Sequence, residues 1–172
     1  QVDDVTITLK PAGHILGSAQ VLMEHRGQRI VVTGDYKRLR DRTAQPFELA
    51  ECDLLVTEAT FGLPVFQHPR PLDEVARLLR SVATFPDRAH VIGCYALGKA
   101  QRMIALLRDA GYDAPIYLHG AMIRLCELYQ ERGIDLGLLR HSLDASKGEL
   151  AGQIVVAPPS AIKDRWSRRL PD

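Results

Sequence analysis

The sequence has few cysteines, almost no net charge and no apolar run long enough to span a membrane. Its three cysteines, Cys52, Cys94 and Cys126, form no CxxC pair and lie in apolar stretches. This pattern predicts buried, reduced thiols in a cytoplasmic protein, and no membrane partner is expected. The 22 basic and 21 acidic side chains nearly cancel. Any affinity for nucleic acid must therefore come from local clusters of cations.

The first part of the chain has a β pattern. Val5–Leu9 alternates with period two, Gln20–His25 is a second strand candidate, and Arg29–Thr33 returns from a short turn at Arg26–Gln28. These features predict a hairpin. Asp53–Thr57 contains a short continuous apolar run, which is typical of a strand buried on both faces.

The second part, from about Pro71 onward, alternates between helix and strand. Helical patterns begin near Asp73, Ala100 and Ala121. Strand candidates lie at His90–Cys94, Pro115–Leu118 and Gln153–Ala157. Alternation of this kind indicates a mainly parallel sheet with helices packed on its faces. A proline-rich stretch before Pro71 separates the two parts.

Three strand ends in the first part carry side chains suited to metal chemistry. His14 lies between glycines in a loop, so backbone and substrate can approach its ring closely. Asp35 and Glu58 each follow an apolar strand. An imidazole and a carboxylate at neighbouring strand ends suit zinc or a similar ion, and an acid such as Glu58 can orient a metal-binding histidine. Taken singly, each feature is equally typical of an ordinary turn.

In this order and spacing, the three residues resemble successive motifs of a known family. His14 in Gly-His-x-x-Gly-Ser-Ala, Asp35 in Thr-Gly-Asp and Glu58 in Thr-Glu-Ala-Thr-Phe-Gly are similar to motifs of the β-CASP branch of metallo-β-lactamase-fold nucleases. The resemblance is strongest to bacterial ligase-associated DNA exonucleases, which are also described as RNA 3′-end processing factors. It implies that His14 ligates one metal, that Asp35 bridges two, and that Glu58 assists catalysis by hydrogen-bonding a metal-site histidine.

The second part continues the resemblance. Gly98-Lys99-Ala100-Gln101 is similar to the helix start of the family's inserted domain, so Lys99 and Arg102 are candidate substrate contacts at a helix N-terminus. Ser160 lies where relatives carry a small-residue turn that contacts phosphate, although Pro158-Pro159 departs from the family's glycine and methionine there. His119, at a strand end, is expected to have a structural or substrate-edge role.

A cationic segment near the end of the chain contains the only tryptophan. It comprises Arg165, Trp166, Arg168 and Arg169. This composition suits stacking on single-stranded nucleic acid. The alternative is a helix that packs Trp166 inward.

The family's His-x-His-x-Asp-His motif, which supplies most of the metal ligands, does not occur in these 172 residues. We expect it before Gln1, so that the chain is a fragment that is inactive in isolation. The expected fold class is α/β. Residues 1–68 would be the C-terminal part of a metallo-β-lactamase αββα sandwich, and residues 69–172 a partial β-CASP domain with a mainly parallel sheet.

The function implied by the resemblance is metal-dependent hydrolysis of phosphodiester bonds. Two divalent ions, Zn²⁺ with Mn²⁺ as the alternative, would serve a DNA exonuclease in repair, with DNA ligase or helicase partners. An RNA 3′-end processing ribonuclease remains open, and so does a non-catalytic scaffold of the same fold. The presence of His14, Asp35 and Glu58 together argues against the scaffold, because a degenerate copy has no chemical reason to keep all three.

Overall fold

The computed structural model of the chain describes residues 3–171 and contains two compact units, Gln1–His68 and Pro69–Asp172. The first unit is built on a mixed β-sheet, and the second is an α/β unit with a parallel sheet. The α/β fold class is therefore confirmed. Among residues 3–171, no helix combines the length and apolar composition needed to cross a membrane.

The sheet of the first unit has four strands in sequence order. They are β1 (Thr6–Pro11), β2 (Ala19–His25), β3 (Gln28–Val32) and β4 (Leu54–Val56). β1 and β3 pair antiparallel with β2, and β4 pairs parallel with β3. The predicted hairpin is confirmed. Its turn residues Arg26 and Gly27 both have positive φ, which matches the twist of the flanking strands.

One face of this sheet is mostly apolar, with the pair His25 and Gln28 at the hairpin end as its polar members. The strand register places on it Ile7, Leu9, Val21, Met23, Ile30, Val32, Leu54 and Val56. Leu9 and Leu54 remain 68% and 54% exposed. The prediction that the Asp53–Thr57 run is buried on both faces is wrong for this structure. β4 is the last strand of the sheet, and all three of its residues are exposed in the part of the chain that the structure describes.

The second unit alternates helices and strands. Its elements are α1 (Pro71–Thr84), β5 (His90–Gly93), α2 (Lys99–Asp109), β6 (Ile116–Leu118), α3 (Gly120–Glu131), β7 (Leu139–His141) and β8 (Ile154–Ala157). Short 3-10 helices cover Gly148–Leu150, Pro159–Lys163 and Arg165–Arg169. All strand pairs are parallel, in the order β5-β8-β6-β7.

The core of the second unit forms around β8, whose four residues are all buried. An apolar strand without alternation is what a parallel sheet covered on both faces requires. Side chains from α2 and α3, such as Ile104 and Met122, are fully buried. The carboxyl ends of the four strands share one edge of the sheet, and α/β proteins commonly bind ligands at that edge.

Candidate metal site

The loop that carries His14 is held in one conformation by its glycine and serine neighbours. Gly13 has φ +73°, and a Cβ there would lie 2.3 Å from the Lys37 carbonyl oxygen. The Ser18 Oγ accepts hydrogen bonds from the backbone N–H groups of His14 (3.1 Å) and Ile15 (3.2 Å). The Gly-His-x-x-Gly-Ser pattern therefore specifies a closed loop that fixes the backbone of the histidine.

The same loop is joined to the loop that carries Asp35. The Lys37 N–H donates to the carbonyl oxygen of the buried Ala12 at 2.9 Å. As a result, His14 Nε2 lies 3.8 Å from Asp35 Oδ2, with the two side chains 44% and 73% exposed. The structure thus brings together two of the residues predicted from the sequence and leaves both accessible to solvent.

Proximity alone does not identify a metal site. The first unit contains a second histidine–aspartate pair, in which His25 Nδ1 lies 3.4 Å from Asp4 Oδ2. That pair belongs to no motif. The distinction of His14 and Asp35 is their place in the β1–β2 loop and just after β3, in two loops joined by a hydrogen bond, with a motif serine closing the His14 loop.

Glu58 follows β4 and is half-buried. The Thr33 N–H donates to the Val56 carbonyl oxygen at 3.0 Å, which ties the chain before Asp35 to the chain before Glu58. The Glu58 Oε2 accepts a hydrogen bond from the Thr60 N–H at 2.8 Å. Within residues 3–171 the Glu58 side chain contacts no histidine, so its role in orienting one stays a prediction.

Just after Asp35, the buried Asp41 carboxylate is paired with Lys37 and hydrogen-bonded to Thr43. This cluster, called the Asp41 lock below, was not predicted from the sequence. The Asp41 side chain is 5% exposed and pairs with Lys37. Its Oδ1 also accepts hydrogen bonds from the Thr43 N–H (3.0 Å) and hydroxyl (2.7 Å). Burial by itself would raise the pKa of Asp41, but the hydrogen bonds from Lys37 and Thr43 outweigh it and hold the pKa below its usual value.

The donor set fits part of a divalent-metal site. One imidazole nitrogen and one carboxylate oxygen are ligands that zinc and similar ions accept. Within residues 3–171, no group of three or more histidine, cysteine, aspartate or glutamate side chains is arranged to hold a metal ion. His14 and Asp35 can therefore supply two ligands, and at least one more is required for a catalytic zinc.

The three cysteines are free thiols. Cys94 and Cys126 are buried as predicted, whereas Cys52 is only partly buried, so the prediction of burial is wrong for Cys52. Burial raises the pKa of the Cys94 thiol to about 11 and also raises that of Cys126. Burial therefore favours the protonated form of both thiols.

The start of α2 carries the two candidate substrate contacts in the second unit. The backbone N–H groups that open this helix already have protein acceptors. Gly98 N–H donates to the buried Gln101 side chain at 2.7 Å, and Lys99 and Ala100 N–H groups donate to carbonyl oxygens. Gln101 in the motif is thus a helix-capping residue. Any phosphate contact of Lys99 and Arg102 would use their side chains.

Two further predicted residues lie at the carboxyl edge of the parallel sheet. Ser160 is exposed in the 3-10 helix after β8, where its proposed phosphate contact stays a prediction. His119 caps α3, because its Nδ1 accepts the Ala121 N–H at 3.1 Å. Burial and the neighbouring His141 lower the pKa of His119, while Asp164 opposes the shift. The contact shows a structural role for His119.

Comparison with known proteins gives several relatives. A "Probable DNA ligase" of Opitutus terrae is 34% identical over 98% of this chain. An "Endoribonuclease ysh1" of Aspergillus fumigatus is 35% identical over 73% of the chain. An "RNase J-like protein" of Methanocaldococcus jannaschii is 31% identical over 69%. The chain spans only 16%, 15% and 30% of these three proteins, respectively. No protein-family model matches it.

Among solved structures, a protein of unknown function from Enterococcus faecalis matches 95% of this chain and 40% of its own, with a TM-score of 0.54 and 17% sequence identity. That likeness supports the fold alone. With its motifs and relatives, the chain belongs to the β-CASP branch of the metallo-β-lactamase-fold nucleases.

Proposed function

We propose that the whole protein is a metal-dependent hydrolase that cleaves phosphodiester bonds in nucleic acid. The observation that carries this proposal is the approach of His14 Nε2 to within 3.8 Å of Asp35 Oδ2, on two motif loops that are hydrogen-bonded to each other. Identity of 34% and 35% to proteins named as a DNA ligase and an endoribonuclease supports nucleic acid as the substrate.

In this proposal each of the three candidate site residues of the first unit has a defined role. His14 contributes a neutral imidazole nitrogen and Asp35 a carboxylate oxygen to a site for two divalent ions, Zn²⁺ or Mn²⁺. The ions, when bound, supply a nucleophile at neutral pH and stabilise negative charge on the phosphate. Glu58 orients a further ligand from outside the coordination sphere. The isolated 172-residue chain should bind metal weakly and lack activity, since two donors cannot replace the ion's hydration shell.

We propose DNA as the preferred substrate and an exonuclease role in repair, in the cytoplasm. The similar segment in a protein named as a probable DNA ligase supports this choice and a ligase or helicase partner. RNA processing is the second candidate, supported by the relatives named as endoribonucleases and as an RNase J-like protein. The remaining alternative is a non-catalytic scaffold of the same fold.

The test is a cleavage assay on the whole protein with Zn²⁺ or Mn²⁺ and matched single-stranded DNA and RNA, each labelled at the 5′ or the 3′ end. Stepwise shortening of DNA from one end is expected, and Asp35→Asn should abolish it. Asp4→Asn is the matched control, because Asp4 also lies beside a histidine in the same unit but outside the motifs.

Three results would change the proposal. Internal cuts in RNA, with DNA left intact, would replace DNA exonuclease activity by RNA processing. Full activity in Asp35→Asn would exclude Asp35 as a metal ligand. No cleavage of either nucleic acid with any divalent ion would favour the scaffold.

A further inference from the structure

A cationic segment follows β8 in the second unit. Four cations and one carboxylate occupy positions 163–169, in a chain whose formal net charge is only +1. The cations are Lys163, Arg165, Arg168 and Arg169, and all four are exposed. The segment begins at the carboxyl end of the buried β8, which lies between β5 and β6. Ligands of open α/β sheets commonly bind along this edge.

The geometry of the 3-10 helix Arg165–Arg169 arranges its side chains in three rows. With three residues per turn, residues three apart lie in line on one side of a 3-10 helix. Trp166 and Arg169 share the inner side. Trp166 packs edge-on against the His119 ring with centroids 4.9 Å apart, and the Arg169 Nη2 donates to the Leu143 carbonyl oxygen at 3.4 Å.

Trp166 also packs against a buried apolar cluster that includes Tyr117, Val155 and Leu170. The indole therefore anchors the segment to the core and is not free to act as a stacking platform. Of the two alternatives for Trp166, the structure supports inward packing, although in a 3-10 helix. Arg165 and Arg168 are left side by side on the outer face, separated along the helix by a rise of about 6 Å.

Among residues 3–171, no acidic side chain forms an ion pair with Lys163, Arg165 or Arg168. The nearest acid in sequence, Asp164, instead accepts the backbone N–H of Arg165 at 2.6 Å as an N-cap. Two aligned guanidinium groups that lack a protein partner are suited to bind phosphate oxygens.

We propose that Arg165 and Arg168 bind successive backbone phosphates of a nucleic-acid strand, with Lys163 adding to the local positive field. This inference rests on the proposed function and names a contact surface for its substrate. Binding is sequence-independent, because phosphates carry no base information. Trp166 and His119 act by holding the segment in place.

The experiment measures the affinity of the whole protein for a fluorescent oligothymidylate by anisotropy, across a series of salt concentrations. Each phosphate contact to a single strand contributes about 0.7 to the slope of log K against log salt. The double variant Arg165→Ala/Arg168→Ala should lower the magnitude of that slope by about 1.4 and weaken binding at low salt. Arg165→Lys/Arg168→Lys should keep the slope, because it keeps both charges.

The matched control is Arg80→Ala/Arg132→Ala, which removes two exposed arginines at the carboxyl-terminal ends of α1 and α3. It should leave the slope unchanged. If the unsubstituted protein binds well and the Arg165/Arg168 double variant keeps its slope, this inference is wrong and the proposed function stands. If the unsubstituted protein binds no oligonucleotide, of DNA or of RNA, both are wrong.

Discussion

Replacing Asp41 tests how the loop after Asp35 is held. The Asp41 carboxylate is almost fully buried, and its partners include the Lys37 ammonium, the Thr43 N–H and the Thr43 hydroxyl. Asp41→Asn keeps an acceptor for Thr43 but removes the charge that faces Lys37. Removing one member of a buried ion pair costs about 3–5 kcal/mol. Lys37 is 17% exposed, so part of its charge is hydrated and we expect a smaller loss, about 2 kcal/mol.

The measurement is the free energy of unfolding of the chain by urea titration, followed by circular dichroism between about pH 7 and pH 2. Because the pKa of folded Asp41 is below its unfolded value, the stabilisation is present above about pH 3.9 and is lost as pH falls through the folded pKa. The deficit of Asp41→Asn should therefore be full at neutral pH and should shrink in acid.

Glu51→Gln is the control for this experiment. Glu51 is 92% exposed and lies 3.9 Å from Arg29, so its loss should change stability by less than about 0.5 kcal/mol. An Asp41→Asn deficit no larger than that of Glu51→Gln would show that the lock contributes nothing. A deficit of the same size at all pH values would show that the Asp41 charge is not its cause.

Three further predictions concern the loop, the cap and the open sheet face. Gly13→Ala should lower the free energy of unfolding by about 3 kcal/mol, because the new Cβ would overlap the backbone at a residue that has positive φ. Gly27→Ala is the control and should cost about 1 kcal/mol, because Gly27 has positive φ but open space around it. Equal losses in urea titrations of the two variants would contradict this prediction. His119→Ala should cost about 1 kcal/mol of stability. Since the folded pKa of His119 is lowered, that loss should be larger at about pH 8 than at about pH 5, and thermal unfolding at both values checks it. The exposed apolar face of the first unit should make the isolated chain self-associate. Leu9→Lys should reduce this self-association, measured by light scattering, because Leu9 is 68% exposed on that face. Unchanged self-association would show that this face is not the contact surface.

Local patterns predicted the fold where the physical cause is itself local. The hairpin at Arg26–Gly27 follows from turn residues that adopt positive φ, and β8 follows from an unbroken apolar run. β4 illustrates the limit. Its apolar residues predict burial, but burial depends on a covering layer, and nothing within the strand itself supplies one. The three residues of β7 are too few to show any periodicity.

The sequence predicted the main residues of the candidate site but not the contacts that hold them in place. The resemblance of their motifs to a known family singled out His14 and Asp35, and the structure places His14 Nε2 3.8 Å from Asp35 Oδ2. The reason for the Gly-His-x-x-Gly-Ser pattern became clear only from the hydrogen bonds of Ser18 and the space around Gly13. The Asp41 lock was missed, although an aspartate two residues before a threonine is a signal for a side-chain-to-backbone turn. The capping role of His119 depends on rotamers that no sequence pattern specifies.

The central claim is that His14 and Asp35 are ligands of one metal site. The most direct measurement is anomalous X-ray diffraction from crystals of the whole protein grown with Zn²⁺ or Mn²⁺. The account predicts an anomalous peak with a His14 ring nitrogen and an Asp35 carboxylate oxygen both at about 2.0–2.2 Å. Metal bound elsewhere in the protein, with His14 and Asp35 both outside its coordination sphere, would contradict the claim.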